Sequence, residues 1–141
     1  MGGYEELQQV TIYCDGSCIG NPGPGGWGAV LECNGIAKEF SGHIGQTTNN
    51  RAELIAMIEA LKCLKRACEV TIYSDSEITV KCADGINRAH SNRDLWDQYE
   101  EISGQHFVYV EWVQGHNGHP GNERAHKLAE KAARKETWLQ P

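Results

Sequence analysis

Three acidic residues occupy positions where a carboxylate can do chemistry. Asp15 and Asp75 each follow an apolar run typical of a β-strand, and Glu53 lies between them near the start of a helical segment. The ends of adjacent parallel strands meet at one edge of a sheet, where α/β proteins bind ligands, so we expect these carboxylates to lie together. Clustered carboxylates repel one another unless a cation compensates. Their hard oxygen atoms suit Mg²⁺ or Mn²⁺.

Each acid also has a purely structural interpretation. Glu53 follows Asn50 at the spacing of an N-terminal helix-capping interaction. Asp75, followed by a serine, is typical of the cap of a short helix. Asp15 can hydrogen-bond within a turn formed with Gly16. Taken singly, each structural interpretation is at least as good as a functional one. Their convergence on one strand–helix–strand unit favours function.

The elements that must position these acids follow an α/β pattern. Strands are predicted at 10–14, 27–33, about 36–43, 70–74 and 107–113, and helices at 51–65, 77–83, 94–102 and 123–135. Asn34-Gly35 is a strong two-residue hairpin signal, so the first strands form an antiparallel meander. A strand, a long helix and a further strand indicate a parallel crossover. We expect an α/β fold with a five-stranded mixed sheet, a meander plus parallel strands, flanked by helices.

The segment 16–26 is dense in glycine and proline. This composition predicts a loop between the first two strands, with a backbone that a ligand can approach closely.

Composition indicates one domain, residues 1–141, in an ordinary globular protein. No apolar run approaches the ~18 residues of a membrane helix, and the N-terminus lacks a secretory signal, so the cytoplasm is the expected compartment. The six cysteines include no CxxC pair and are expected to be small buried thiols, although a pairing of Cys63 with Cys68 stays open.

The net charge of −6 argues against a promiscuous nucleic-acid binder. The basic residues are unevenly distributed, however, and none occurs in residues 1–37 or 94–123. Five of them crowd into the last predicted helix: Arg124, Lys127, Lys131, Arg134 and Lys135. Any nucleic-acid surface must therefore be local.

Four motifs in order carry a family resemblance. They are DGSCIGNPGPGGWGAVL, TTNNRAELIAMIEAL, VTIYSDSEI and WVQGHNGHPGNERAHKLA. Together they closely resemble type 1 ribonuclease H over nearly the whole chain, with a core of about residues 10–135. The resemblance implies a ribonuclease H-like fold and a metal-dependent hydrolase, an endonuclease that cuts the RNA strand of RNA–DNA hybrids with two divalent metals and four acids.

Asp15, Glu53 and Asp75 match three of the family's four acids. The resemblance implies that Asp15 bridges both metals, with Glu53 and Asp75 on the leaving-group side. Two ions about 3.5–4 Å apart would activate water and stabilise the departing 3′-oxygen, leaving 5′-phosphate and 3′-hydroxyl ends. His116 matches a mobile histidine that shuttles protons. We interpret His119 as a packing or capping residue.

Further positions match the family's substrate contacts. Those that resemble contacts to minor-groove edges and RNA 2′-hydroxyls are Cys18, Asn21, Asn49 and Asn50. Thr48 and Asn92 match a pocket that grips a DNA-strand phosphate, although its usual basic member is here Gln46. Thr48 and Asn50 are also plausible helix caps, and the two roles are compatible.

The chain departs from the family at the fourth acid, where His126 stands in place of aspartate. In one interpretation His126 is an exposed bystander beside a weakened site of three acids. In the other, which we favour, its neutral imidazole ligates the metal directly or through water and makes Mn²⁺ the preferred ion. Glu123 and Glu130, three residues before and four after, lie on roughly the same helix face.

A second departure is the absence of a basic, tryptophan-rich handle between the second and third helices. The segment 84–93 has Arg88 and Arg93 and no aromatic residue. We expect weaker hybrid binding than in relatives that carry the handle, partly offset by the basic last helix.

An RNA–DNA hybrid endonuclease is thus the leading hypothesis. The alternative is a hybrid-binding protein with catalysis impaired by His126, and a transposase or exonuclease of the same fold ranks lower. We expect a monomer that binds an RNA–DNA hybrid and no membrane.

Overall fold

The part of the chain that this computed structural model describes comprises residues 7–83, 91–114 and 119–139, with side chains described as far as Arg134. The strands there are β1 (Gln8–Cys18), β2 (Gly23–Cys33), β3 (Ile36–Thr47), β4 (Cys68–Ser74) and β5 (Phe107–Trp112). The helices are α1 (Asn49–Lys62), α2 (Glu77–Ala83), α3 (Arg93–Ser103) and α4 (Pro120–Leu139). None of these helices is long and apolar enough to cross a membrane.

The strands form one mixed sheet in the order β3-β2-β1-β4-β5. β1, β2 and β3 pair antiparallel, whereas β4 pairs parallel to both β1 and β5. Asn34 and Gly35 have φ values of 53° and 79°, the two positive angles that the tight hairpin turn requires. The predicted five-stranded mixed sheet, with a meander and parallel strands, is confirmed.

Helices cover both faces of the sheet. Alternate residues of a strand point to opposite faces, so neighbouring positions can meet different helices. Gly16 faces the backbone of α1 at Ala52, and Gly28 on the neighbouring strand faces α4 at Ala125. The core on the α1 side includes Ile12 of β1, Ile72 of β4 and Leu61 of α1, which have no exposed surface. This burial fixes the register of β1 against β4.

The predicted loop at 16–26 is wrong over most of its length. β1 continues to Cys18 and β2 begins at Gly23, with Gly16 paired to Trp27 and Cys18 to Gly25. Glycine has a low strand propensity, but Gly26 and Gly28 of β2 lie where α4 packs on the strand. A Cβ at Gly28 would lie 2.4 Å from the carbonyl oxygen of Ala125. Only residues 19–22 connect the two strands.

Two helices begin earlier than predicted. The predicted helix at 51–65 spans Asn49–Lys62, because the Thr48 side chain caps it by accepting a hydrogen bond of 3.3 Å from the Arg51 amide. The predicted helix at 123–135 begins at Pro120, a residue favoured in the first helical turn. All six cysteines are free, so Cys63 and Cys68 are not paired, and only Cys14 and Cys68 are fully buried.

Candidate active site

Asp15 and Asp75 lie at equivalent depths at one edge of the sheet. β1 and β4 pair in parallel as far as Tyr13 and Tyr73, and each acid stands two residues beyond that pair. Asp15 is buried, with 6% of its surface exposed, and Asp75 is partly buried. The predicted meeting of two carboxylates at the ends of adjacent parallel strands is therefore observed.

Glu53 reaches the same edge from α1. Its Oε1 atom accepts a hydrogen bond of 2.6 Å from the backbone amide of Gly16. This contact requires glycine, because a Cβ at that position would lie 2.2 Å from the carbonyl carbon of Ala52. The missing side chain of Gly16 is what lets the helix approach β1 closely enough to deliver Glu53.

The three carboxylates form a compact cluster. Asp15, Glu53 and Asp75 each offer one oxygen atom, and these atoms all lie within 4.8 Å of one another. Burial, followed by the neighbouring carboxylate of Asp15, raises the pKa of Glu53 well above its usual value. Burial and the charge of Asp15 also raise the pKa of Asp75. This mutual repulsion favours binding of a divalent cation.

The structural interpretations of these acids do not hold. Thr48, and not Glu53, caps α1. Ser76 caps α2, since its hydroxyl accepts a hydrogen bond of 3.3 Å from the Thr79 amide. The Asp75 backbone carbonyl instead accepts a hydrogen bond from the Trp112 indole. The side chain of Asp15 contacts His126 on α4 rather than closing a local turn.

His126 adjoins the cluster through Asp15. Its Nδ1 atom lies 2.6 Å from Asp15 Oδ2, and its Nε2 atom lies 3.5 Å from Glu130 Oε2, one helical turn away. The imidazole is 41% exposed. Gly28 allows this geometry because α4 packs against it at Ala125, the residue before His126.

The carboxylates around His126 favour the protonated form of its imidazole. Burial lowers the pKa of the imidazole, but the hydrogen bond and charge of Asp15, aided by Glu130 and Asp75, raise it overall above its ordinary value. When it is protonated, His126 is a counter-charge to the acid cluster. His126 touches Asp15 directly and so lies against the acid cluster, not apart from it on the helix surface.

The two other histidines of the segment have different positions. His116 lies outside the described residues. His119 caps α4, because its carbonyl accepts a hydrogen bond of 3.0 Å from the Glu123 amide, and its ring packs against Tyr13 and Tyr73 at centroid distances of 5.0 and 5.8 Å. The interpretation of His119 as a packing and capping residue is confirmed.

Most of the predicted substrate contacts surround the N-terminus of α1. The Cys18 thiol donates to the carbonyl oxygens of Thr47 and Gly23 at 3.3 and 3.5 Å. Asn21 Oδ1 accepts a hydrogen bond of 3.0 Å from the Asn49 amide. These contacts join the β1–β2 connection to the first turn of α1.

The remaining predicted contacts flank that turn. Asn50 is exposed in the first turn of α1. Asn92 precedes α3, and its Oδ1 accepts a hydrogen bond of 3.1 Å from Arg51 Nη1 on α1. Thr48, the α1 cap, bonds the backbone amide of Arg51. The two residues expected to grip a phosphate are therefore linked through one arginine.

Sequence reasoning missed the residues that bring the site together. Gly16 was interpreted as part of a loop and Gly28 only as a strand residue, although both permit helix contacts. Asn122 was not singled out, yet its side chain donates a hydrogen bond of 3.2 Å to the Tyr73 carbonyl and holds the start of α4 against β4. The four-residue spacing of His126 and Glu130 did indicate that the two side chains lie on the same helix face, where they are in contact.

Comparison with known proteins gives concordant matches. The family model for RNase H matches residues 7–134. The Ribonuclease H of Cupriavidus metallidurans is 52% identical, covering 87% of this chain and 94% of that protein. The Ribonuclease H of Nitratidesulfovibrio vulgaris is 45% identical, covering 85% of this chain and 86% of that protein. The span that the family model matches includes every element that carries the acid cluster.

A solved structure is also similar. The crystal structure of LC11-RNase H1 in complex with an RNA/DNA hybrid superposes with a TM-score of 0.81 at 29% sequence identity. The match covers 91% of this chain and 99% of that chain.

Proposed function

The chain belongs to the ribonuclease H family of enzymes, and from this premise we propose that it is an endonuclease that hydrolyses the RNA strand of RNA–DNA hybrids. One observation carries the proposal: Asp15, Glu53 and Asp75, from two parallel strand ends and the helix between them, offer oxygens within 4.8 Å of one another. The similar structure that holds an RNA/DNA hybrid supports the same substrate.

The donor set fits hard divalent cations. Asp15, Glu53 and Asp75 would hold Mg²⁺ or Mn²⁺ through carboxylate oxygens, with Asp15 shared between two ions. Two such ions would supply the means to activate a water and to stabilise the departing 3′-oxygen, and the products would carry 5′-phosphate and 3′-hydroxyl ends. The protein's own part is to keep these oxygens converged. The Gly16 amide does this for Glu53 by donating to its Oε1 atom.

His126 takes the place of the fourth acid. Its Nδ1 atom faces the cluster through Asp15, so in its neutral form this nitrogen is the one that would ligate a metal directly or through water. Imidazole favours softer ions than Mg²⁺, so we propose a preference for Mn²⁺. Glu130, near Nε2, would hold the ring in this orientation.

A hybrid-binding protein with impaired catalysis is the second candidate. The observation that favours it is the hydrogen bond of 2.6 Å between His126 and Asp15, because a protonated imidazole there competes with a cation for the carboxylate. The intact trio of acids argues for retained catalysis, since a binding protein gains nothing from a cluster of mutually repelling carboxylates.

Substrate contacts would extend along the surface around α1. Cys18, Asn21, Asn49 and Asn50 would contact the minor groove and the RNA 2′-hydroxyls that distinguish RNA from DNA. Thr48 and Asn92 would bind a DNA-strand phosphate. His116 would shuttle protons near the scissile phosphate. We further propose that residues 1–141 act as a single-domain monomer in the cytoplasm, without the basic handle of some relatives.

A cleavage assay tests the proposal. A hybrid labelled on the RNA strand is incubated with the protein in Mg²⁺, in Mn²⁺ and in EDTA, with single-stranded RNA and duplex RNA as control substrates. We expect metal-dependent cuts within the RNA strand of the hybrid alone, with 5′-phosphate ends, and their loss in Asp15→Asn. Tight hybrid binding without cleavage in either metal would select the second candidate.

A further inference from the structure

Arg51 joins the first turn of α1 to the first turn of α3. Its Nη1 and Nη2 atoms donate hydrogen bonds of 3.0 and 2.8 Å to the two carboxylate oxygens of Asp94. Nη1 also donates to Asn92 Oδ1 at 3.1 Å. A bidentate arginine–carboxylate pair has a fixed, planar geometry, so it can hold a neighbouring side chain in one orientation.

Asn92 has an unusual conformation for the residue before a helix. Its φ and ψ of 60° and 36° lie in the left-handed region, and its side chain forms no capping hydrogen bond to α3. The side-chain oxygen of an asparagine in this position usually accepts a hydrogen bond from a backbone amide in the first turn of the helix that follows. Here that oxygen faces Arg51 instead. Because a guanidinium can only donate, the Asn92 Nδ2 group must point the other way.

We propose that Arg51 and Asp94 are positioning residues that aim the Nδ2 group of Asn92 at an oxygen of a DNA-strand phosphate, and that Arg51 is not itself the cation of this phosphate site. The inference rests on the proposed function, in which Thr48 and Asn92 bind that phosphate. The charge of Arg51 is already matched by Asp94. The phosphate is then bound by neutral donors at the N-termini of α1 and α3.

The two possible roles of Arg51 predict opposite effects of Asp94→Asn. If Arg51 binds the phosphate, freeing it from Asp94 strengthens hybrid binding. If Arg51 positions Asn92, loosening the pair weakens binding. Asp97→Asn is the matched control, since Asp97 lies on the same helix, pairs with Arg93 at 3.7 Å and carries the same charge. We expect Asp94→Asn to raise the Kd for a hybrid in EDTA about tenfold relative to Asp97→Asn.

A phosphate-specific readout separates positioning from general destabilisation. Kd is measured for a series of hybrids, each with one DNA phosphate replaced by a neutral methylphosphonate. We expect one position to weaken binding by the wild-type protein about tenfold. That penalty should disappear in Asp94→Asn and in Asn92→Ala, and persist in Asp97→Asn. Arg51→Lys should behave like Asp94→Asn, because lysine cannot form the bidentate pair.

Tighter binding by Asp94→Asn than by Asp97→Asn, an unchanged penalty in Asp94→Asn, or the lack of any sensitive position in the wild-type protein would overturn the inference. A wild-type protein that neither binds nor cuts the unmodified hybrid would instead overturn the proposed function.

Discussion

Nδ1 of His126 lies 2.6 Å from Oδ2 of Asp15, and this contact joins α4 to the end of β1 at the centre of the acid cluster. The two residues are 111 positions apart in the chain. In its protonated form the imidazole supplies a positive charge where the nearby carboxylates repel one another. The contact therefore affects both stability and metal binding.

The pair makes metal-free stability depend on pH. The pKa of His126 is raised above its ordinary 6.5 in the folded state. The stabilisation is therefore fully present below pH 6.5 and is lost as the pH rises through the folded pKa. We expect wild-type Tm in EDTA to exceed that of His126→Asn at about pH 5.5, and the gap to narrow by about pH 9. The gap should be small because the imidazole is 41% exposed. A constant gap across this range would contradict the prediction.

The charge of Glu53 disfavours the metal-free fold. Its pKa in the folded state is raised well above the usual value. The free energy of unfolding therefore falls as the pH rises from the unfolded-state pKa to the folded-state pKa, because the unfolded chain loses this proton first. Glu53→Gln keeps an oxygen for the Gly16 amide and removes the charge. We expect this relief to be on the order of 1 kcal/mol, or about 3–6 °C in Tm for a domain of this size.

We therefore expect Glu53→Gln to raise Tm in EDTA and to abolish most of the further stabilisation by Mg²⁺ or Mn²⁺. Differential scanning calorimetry with and without each ion measures both effects. Glu59→Gln on the same helix, where Glu59 pairs with Lys62 at the surface, is the matched control and should change neither. A lower Tm for Glu53→Gln in EDTA would show that its charge is not a source of repulsion.

His126→Asp tests the proposed metal preference. It places a fourth carboxylate beside three others, so it should destabilise the metal-free protein and improve binding of hard ions. We expect wild-type cleavage to be faster in Mn²⁺ than in Mg²⁺, and the substitution to raise the Mg²⁺ rate about tenfold. Isothermal titration of each ion provides a readout besides activity. Equal wild-type rates in the two ions, with no gain from aspartate, would refute the preference.

Local sequence patterns sufficed to predict the acids and the sheet. Ile12 and Ile72 belong to short apolar runs that end next to Asp15 and Asp75, and the crossover rule then makes the strands parallel neighbours. The long-range contacts were not predictable in this way. Glu53 bonds the amide of Gly16, 37 residues away, and the reason for glycine there is a helix backbone that no local pattern reveals.

Gly16 provides a direct test of how the site is assembled. A Cβ there would lie 2.2 Å from the carbonyl carbon of Ala52, so Gly16→Ala must push α1 away from β1. We expect a loss of about 3 kcal/mol in the free energy of unfolding and a weaker affinity for Mn²⁺, because Glu53 moves with the helix. Gly45→Ala is the control, since a Cβ at Gly45 meets no atom within 4 Å. Urea unfolding that gives equal stability for both variants would contradict the close approach.

The exposed lysines of α4 test the origin of hybrid affinity. Arg124 on this helix is engaged by Glu39, with an Nη2–Oε1 distance of 2.8 Å, so Lys127 and Lys131 are better placed to offer their charge to phosphates. Each phosphate contact adds about 0.9 to the slope of log Kd against log salt concentration. We expect Lys127→Gln/Lys131→Gln to weaken hybrid binding and to lower this slope. The double variant Lys62→Gln/Lys65→Gln removes the same charge from two exposed positions, one at the C-terminal end of α1 and one just after it. If the two double variants change the slope equally, the effect is one of net charge, and α4 does not substitute for a basic handle.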